Sequence, residues 1–567
     1  MATVVAGDRP VASRKYSMFK FRIPALLVVL SSCGLAMAST TVWAVDSLIK
    51  VFPDDPVGAN HNRPDITLLP RNGHASVQFA VRSDAPVSDL SVTVTVSGPV
   101  ETEVRHVGYV PVHRNTPDSP LEECIRKAPS RFPDPLFEEF PFSIPANETN
   151  AVWITLHASA DAKPREYAGH ADFHSGGRQI ASAPFRVRVM RAVVPKQTLK
   201  ISNWFNLDKP HLARFFDIQN DERYWNLLEN IGRVMADHRQ NVMLTPVLSL
   251  TDARVDNGRI AYDFSRLDHF LDTFGKSGLT ELIEGGHLLD RENGYRSALT
   301  VPAFVIDGEQ VRRETLKADD PQAEAHINSF LPALFQHLKE KGMAGRYVQH
   351  VLDEAHGAEP PFYKRYAALV RKNMPGVKTI DAINQTASPV ASDCDIWVPV
   401  LGSFDDRLAA IDEHVKQGGE AWFYTCVFPQ GRYLNRFIDY PLLKTRLLHW
   451  FNFRHNLGGY LHWGGDYWDG DPYQNTEVVI NAGQDLLPAG DAFITYPWRE
   501  KNSIHSSIRL EAMREGIEDY ELLRAAARKD PALARKIAEK AVPNINDYVR
   551  DVPSFRRLQE ELLAAAE

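Results

Sequence analysis

The chain has 567 residues, of which 44% are hydrophobic, 10% aromatic and 24% charged, and its formal net charge is -8. That length exceeds one ordinary hydrophobic core and implies two or three domains. The modest negative charge, with no long basic run beyond the N-terminus, excludes a nucleic-acid binder.

Arg9, Arg14, Lys15, Lys20 and Arg22 precede a charge-free stretch from Ile23 to Val45, whose apolar centre is followed by Ala36-Met37-Ala38. A basic segment, an apolar run and a small-x-small site read as a bacterial export signal cleaved after Ala38, placing residues 1–44 outside the folded protein and the protein outside the cytoplasm. Two variants stay open: Leu30-Ser31-Ser32-Cys33 resembles a lipoprotein processing site that would leave Cys33 lipid-anchored, and the charge-free run is long enough for an uncleaved membrane anchor. The four cysteines, at 33, 124, 394 and 426, match no zinc or redox spacing and imply buried free thiols.

From 45 to 195 the texture is short alternating runs broken by Pro, Gly, Asn and Asp, as in 75–81, 90–96 and 185–190, with a more continuously apolar run at 151–156. Period-two patterning at this density predicts a β-sandwich. Val194-Pro195-Lys196-Gln197 reads as a linker. From 196 to 530 candidate strands at 198–204, 241–246, 280–285, 346–352, 378–382, 395–400, 420–425 and 458–463 alternate with helical patterns at 222–238, 264–275, 321–341, 361–373, 404–416 and 440–455. Eight such repeats predict a (β/α)8 TIM-type barrel, with a doubly wound sheet as the alternative. A helical C-terminal tail follows, its helices over 531–567 set off by Asp530-Pro531 and Val542-Pro543. The charges at Arg509, Glu511, Arg514, Glu518 and Asp519 recur at helical spacing and read as a helix face with i,i+4 pairs.

The chemistry concentrates in Tyr347-Val348-Gln349-His350-Val351-Leu352-Asp353-Glu354, where an apolar strand runs into two adjacent carboxyls. At the end of the fourth barrel strand, Asp353 and Glu354 would stand at the C-terminal mouth and face different ways, one towards a leaving-group oxygen and one towards another part of a substrate. Tyr424 at the end of strand seven, and Trp204 and Trp463 at the ends of strands one and eight, are candidates to bind or floor a sugar ring. His462, Asp466 and Trp468, at or just after strand eight, are candidates for sugar hydroxyls. His350 and His356 flank the acid pair, but no His/Asp/Glu spacing resembles a zinc site, so neither metal nor cofactor is implied.

The pair Asp353-Glu354 after its apolar strand resembles the catalytic pair of glycoside hydrolase family 123. The resemblance extends through Trp422-Phe423-Tyr424, Asn435-Arg436-Phe437-Ile438-Asp439, Gly459-Tyr460-Leu461-His462-Trp463, the run Gly490 to Pro497, Ser507 to Glu511 and Arg514 to Tyr520. It implies a β-N-acetylgalactosaminidase with an N-terminal β-sandwich and a barrel, retaining configuration through substrate assistance and acting on glycans with terminal β-linked N-acetylhexosamine. In that mechanism Asp353 orients the substrate's acetamide and Glu354, held protonated by a raised pKa, is the acid and then the base. Two alternatives remain: a non-catalytic exported glycan-binding protein, and a conventional double-displacement glycosidase in which Glu284, near the end of strand three, is the partner carboxylate.

Overall fold

The N-terminal part is built from ten strands: β1 (Thr40–Val45), β2 (Ile66–Arg71), β3 (Gly73–Ser83), β4 (Val87–Val96), β5 (Val100–Val112), β6 (Ser130–Phe137), β7 (Phe142–Ile144), β8 (Thr149–Ala158), β9 (Glu166–Ser175) and β10 (Arg178–Val193). They form two five-stranded sheets, in the orders β1-β3-β8-β5-β6 and β2-β10-β9-β4-β7, antiparallel except for the β10–β2 pair. Alternation decides what each face buries. Val77, Phe79, Val152, Ile154 and Leu156 of the first sheet meet Leu90, Val92, Phe173, Phe185 and Val187 of the second in one apolar core. The intervening residues of the first sheet are buried too, and among them Ser76, Gln78, Arg105 and Thr155 are polar.

The structure is a computed structural model that describes residues 39–60, 66–295, 297–383, 390–480, 483 and 485–567. The export signal, with Ala38 and Cys33, lies outside the described residues. One boundary is corrected: residues 40–44, expected at the end of the export segment, pair in β1 with β3 and bury Trp43. Among the described residues no helix is long and apolar enough to cross a membrane. Cys124, Cys394 and Cys426 are free thiols, the first two buried.

Next come β11 (Lys200–Asn203), α1 (Lys209–Leu212), α2 (Asp221–Asp237), β12 (Val242–Thr245), the hairpin β13 (Asp252–Asp256) and β14 (Arg259–Asp263), and α3 (Ser265–Gly275). After β15 (Leu282–Gly285) an antiparallel insertion of β16 (Asp290–Arg291), β17 (Leu299–Asp307) and β18 (Gln310–Lys317) precedes α4 (Pro321–Glu340). Then follow β19 (Tyr347–Gln349), α5 (Pro360–Asn373), β20 (Lys378–Ile383), β21 (Ile396–Pro399), α6 (Phe404–Lys416), β22 (Glu420–Ala421), β23 (Phe423–Tyr424), α7 (Leu442–Arg454) and β24 (Gly459–His462). Three helices, α8 (Ile508–Lys529), α9 (Pro531–Ala541) and α10 (Val552–Ala566), complete the chain.

All eight expected parallel segments are present and paired in chain order, β12-β15-β19-β20-β21-β22 in one sheet and β23-β24-β11 in the other. A bridge between Val400 and Tyr424 and a bond from Asn241 N–H to the Ile201 carbonyl at 3.4 Å link the two. The order never reverses, as a doubly wound sheet requires it to do. Val242, Val348, Ile380, Ile396 and Leu461, from five different strands, touch Trp422 between β22 and β23 as one cluster, which only a curled sheet allows. Neither hairpin insertion was expected, although both carry turn signals in Asn257-Gly258 and Asp307-Gly308, where Asn257, Gly258 and Gly308 take positive φ.

The charged face of α8 is a second correction. Arg509, Glu511, Arg514, Glu518 and Asp519 are fully or almost fully buried, because α8 is covered by the polar face of the first sheet on one side and by α7 on another. Arg509 grips Asp134 of β6 with two bonds of 2.8 Å. Glu511 accepts from Arg105 at 2.8 Å, His238 at 2.9 Å and Thr155 at 3.0 Å. Glu518 is held by His74 at 2.7 Å and Arg239 at 2.8 Å, and Arg446 of α7 pairs with Asp519 at 2.6 Å and with Glu515. Removing one partner strands a charge where water cannot reach it. Arg509→Met should therefore destabilise the folded chain by about 3–5 kcal/mol in urea unfolding, and Arg509→Met/Asp134→Leu by clearly less. Equal losses would mean that the ion pair is not what ties α8 to β6. Burial pushes the Glu511 carboxyl up, but Arg105, Arg514 and His238 outweigh it and hold it well below the usual range. A depressed carboxyl stabilises fully above about pH 4.3, and this contribution is lost as pH falls further.

Candidate active site

β19 ends at Gln349, three residues earlier than the sequence implies, because the chain bends to bond with the loop after β15: His350 N–H donates to the Gly285 carbonyl at 3.2 Å and Leu289 N–H to the Val351 carbonyl at 2.9 Å. This carries Asp353 and Glu354 beyond the sheet edge, both half-buried. Glu354 has φ +48°, in the left-handed region, and Gly357 follows at +54°. A non-glycine residue held there costs about 1 kcal/mol or more, and such residues cluster where geometry serves function. The consequence is that the two neighbouring carboxyls diverge.

Arg291, at the end of β16, holds that turn. Its guanidinium donates to the Asp353 carbonyl at 2.9 Å and binds both oxygens of Glu359 at 2.9 and 2.8 Å, while Glu359 accepts from His356 N–H at 3.0 Å. Tyr295 stacks on His356 with ring centroids 4.3 Å apart and donates its hydroxyl to Glu354 Oε2 at 2.6 Å. Tyr424 donates its hydroxyl to Glu354 Oε1. Asp353 lines a cavity of about 560 Å³ together with Trp204, His287, Leu289, Arg291 and Gln349. Burial first and the Glu354 charge second push the Asp353 carboxyl upward, against the charges of His350 and Arg291.

Of the residues expected to bind substrate, Trp204 lines this cavity, edge-on to His287 and His350, its indole N–H 3.1 Å from Glu284. Tyr424 lies at the site, but its hydroxyl meets the Glu354 carboxyl. Trp463 is half-buried at the end of β24, its ring 5.5 Å from Tyr467. His462, Asp466 and Trp468 are corrections, because the chain after β24 folds beneath residues 490–495 instead of lining the mouth. His462 is fully buried and its Nδ1 accepts from Arg436 at 2.6 Å and from Gly464 N–H at 3.0 Å, while burial holds its imidazole well below the usual range. Asp466 is buried, bonds Asn206 N–H at 2.7 Å, and is pushed by burial up to about 8. Trp468 donates to the Thr495 carbonyl at 2.8 Å and packs on Phe215.

Glu284 is fully buried, and its oxygens accept from Ser202 at 2.6 Å, Trp204 at 3.1 Å and His350 at 2.7 Å. Three donors thus already engage the carboxyl that the double-displacement alternative would use. Among the described residues His287, His350 and Asp381 have ligating atoms within 4.8 Å of one another. They do not suit a cation, since both ring nitrogens of His350 already face carboxylates, Glu284 and Asp381.

Sequence reasoning missed Arg291, Tyr295, His287 and Asp381. Asp381 was detectable, as a carboxylate inside the apolar strand Thr379-Ile380-Asp381-Ala382-Ile383. Arg291 and Tyr295 sit in an irregular insertion without periodicity, which leaves no signal.

The sequence family described as "Glycoside hydrolase 123, catalytic domain" matches residues 204–526, more than half of the chain. In fold, the structure is similar to a family 123 glycoside hydrolase from Clostridium perfringens, with 15% identity, a TM-score of 0.71, and 93% of this chain and 97% of that one covered; the analysis of that enzyme concerns glycolipid glycan hydrolysis. A β-galactosidase from the psychrophilic Marinomonas ef1 overlaps 60% of this chain and 62% of its own at 10% identity and a TM-score of 0.34. No curated protein matches the sequence. The matched segment contains every element of the Asp353-Glu354 site described above, and the chain belongs to glycoside hydrolase family 123.

Proposed function

We propose that this glycoside hydrolase is a retaining exo-β-N-acetylhexosaminidase, a β-N-acetylgalactosaminidase first, that releases the terminal sugar from glycans or glycolipids by substrate assistance. The observation that carries this reading is the divergent pair: two adjacent carboxyls in different surroundings, one half-buried on the cavity wall and one gripped by two phenols. Asp353 would accept the N–H of the substrate's 2-acetamido group and stabilise positive charge as the acetamide oxygen attacks the anomeric carbon. Glu354 would protonate the departing glycosidic oxygen, leaving a cyclic oxazolinium ion, and then take a proton from the water that reopens it with overall retention. Carrying the nucleophile within the substrate is equivalent to an effective molarity of roughly 10⁵ M or more.

In the same reading the two sheets are a β-sandwich domain over about 45–195, the parallel segments over 196–530 are a (β/α)8 barrel, and the helices over 531–567 are a tail. Residues before 39 direct export, by a cleaved signal or by membrane attachment through the N-terminus, with lipidated Cys33 as a variant. N-terminal sequencing of protein from the native host should find a chain beginning after Ala38; cytoplasmic protein with Met1 intact would refute export.

On aryl N-acyl-β-hexosaminides, kcat/KM should fall steeply along the mono-, di- and trifluoroacetyl series, because each fluorine weakens the attacking oxygen while changing its size little. A flat series with a covalent glycosyl-enzyme detected by mass spectrometry would establish a protein nucleophile instead, and no turnover at all would leave a binding protein. Glu354→Gln should lose roughly 10² to 10⁴-fold in kcat on poor leaving groups and much less on activated ones; an equal loss on both would remove Glu354 as the acid. Arg291→Met, which frees the turn, should lower kcat by about 10²-fold, with the loss again largest for poor leaving groups.

A further inference from the structure

Beneath the acid pair lies a chain of buried groups that the hydrolytic steps above do not use. His350 is fully buried between two carboxylates, its Nε2 2.7 Å from Glu284 Oε1 and its Nδ1 3.0 Å from Asp381 Oδ1. Each carboxylate is saturated by other donors. Ser202 and Trp204 donate to Glu284, while the Tyr363 hydroxyl at 2.7 Å and Val351 N–H at 3.1 Å donate to Asp381. With both carboxylates already accepting from these groups, both ring nitrogens of His350 are placed to donate, the arrangement that favours the imidazolium form.

We propose that His350 is a permanently charged positioning residue, whose cation keeps Asp353 ionised for its role at the substrate's acetamide and whose carboxylate partners fix Trp204 and the end of the catalytic strand. The inference rests on the substrate-assisted reading for what Asp353 does. Three observations on different elements support it. Asp381 on β20 bonds the backbone of Val351, two residues before Asp353. Glu284 on β15 bonds the indole of Trp204, which lines the cavity with Asp353. Finally, burial alone would push the His350 imidazolium down, yet the bonds and charges of Asp381 and Glu284 raise it to about 10.

The groups facing Asp353 are Glu354, Tyr424, Cys426 and Asp381, which oppose its ionisation or are neutral, and Arg291 and His350, which favour it. Tyr295 faces it as a neutral phenol. His350 is faced in addition by His287, whose imidazole is held well below the usual range by burial and by the charges of His350 and Arg291. Arg291 binds the carboxylate of Glu359 and the carbonyl of Asp353, so His350 is the cation whose removal leaves the turn itself in place.

The charge makes a sign-specific experiment possible on the full chain: kcat/KM against pH on an aryl β-N-acetylhexosaminide for wild type, His350→Gln, Glu284→Gln and Asp381→Asn. Loss of the cation should move the acidic limb upward by about one pH unit, with activity recovering as pH rises, while loss of either anion should move it downward. Shifts in one common direction, or losses independent of pH, would overturn the proposal. In ¹⁵N-histidine NMR of the wild type, the His350 ring nitrogens should both stay protonated from about pH 5.5 to about pH 8.5; a neutral tautomer in that window would overturn it even if every variant failed to fold. A flat response to acetamide fluorination in wild type would instead sink the substrate-assisted reading, while the NMR result would still decide the charge on His350.

Discussion

Helix α8 buries more charge than any other element described, and the two halves of the molecule are joined through it. Its acidic and basic side chains reach Arg105, Asp134, Thr155 and His74 on the sheets and Arg446 on α7, so each contact satisfies a group that its own element cannot satisfy. This explains the two-sided burial of β3 and β8, which bury one apolar face against the second sheet and bury Ser76 and Thr155 on the other against Glu515 and Glu511 of α8. Hydrophobic area alone would hold the sheets against the parallel part without fixing their relative placement; charge pairs with defined geometry fix it, since a displaced pair loses its bonds and keeps its desolvation cost. The curled sheet is thereby held from outside, and its short strands of two to six residues can leave their C-terminal ends to irregular loops.

The acid pair shows the same division of labour. A strand end delivers Asp353 and Glu354, but the direction of each carboxyl is set by groups from elsewhere: Arg291 and Tyr295 from the β16–β18 insertion, Tyr424 from β23, and the buried line through Glu284, His350 and Asp381. Adjacent residues of a regular strand would point to opposite faces. The left-handed turn at Glu354 sets its carboxyl against Tyr295 and Tyr424 while Asp353 lines the cavity, and Arg291 bonds the backbone there.

The parallel segments were legible in the sequence because each is an apolar run between helices with a clear period, and all eight fall within a few residues of where patterning put them. Asp353 and Glu354 were legible because two carboxyls directly after such a run have no packing purpose. Other features were hidden for identifiable reasons. Arg509, Glu511 and Asp519 recur at the spacing of a solvated helix face, and nothing local distinguishes a face covered by water from one covered by a sheet some 370 residues earlier in the chain, as Arg509 and Asp134 are. His462, Asp466 and Trp468 follow a strand end as expected, yet the segment 490–495 covers them, a long-range event with no periodic trace. Arg291 and Tyr295 lie in irregular chain whose shape comes from contacts, not from propensity.

The β16–β18 insertion has a consequence for how this site can change over time. Because Arg291 shapes the turn that carries both carboxyls and also lines the cavity, a change in the length or course of the insertion would alter the shape of the cavity and the direction of the carboxyls together. On the proposed function, substrate range and catalytic competence would thus depend together on a segment outside the repeating strand–helix pattern. A chain with a shortened insertion would have to hold that turn by other means, since the strand that precedes it supplies none of the bonds that Arg291 makes there.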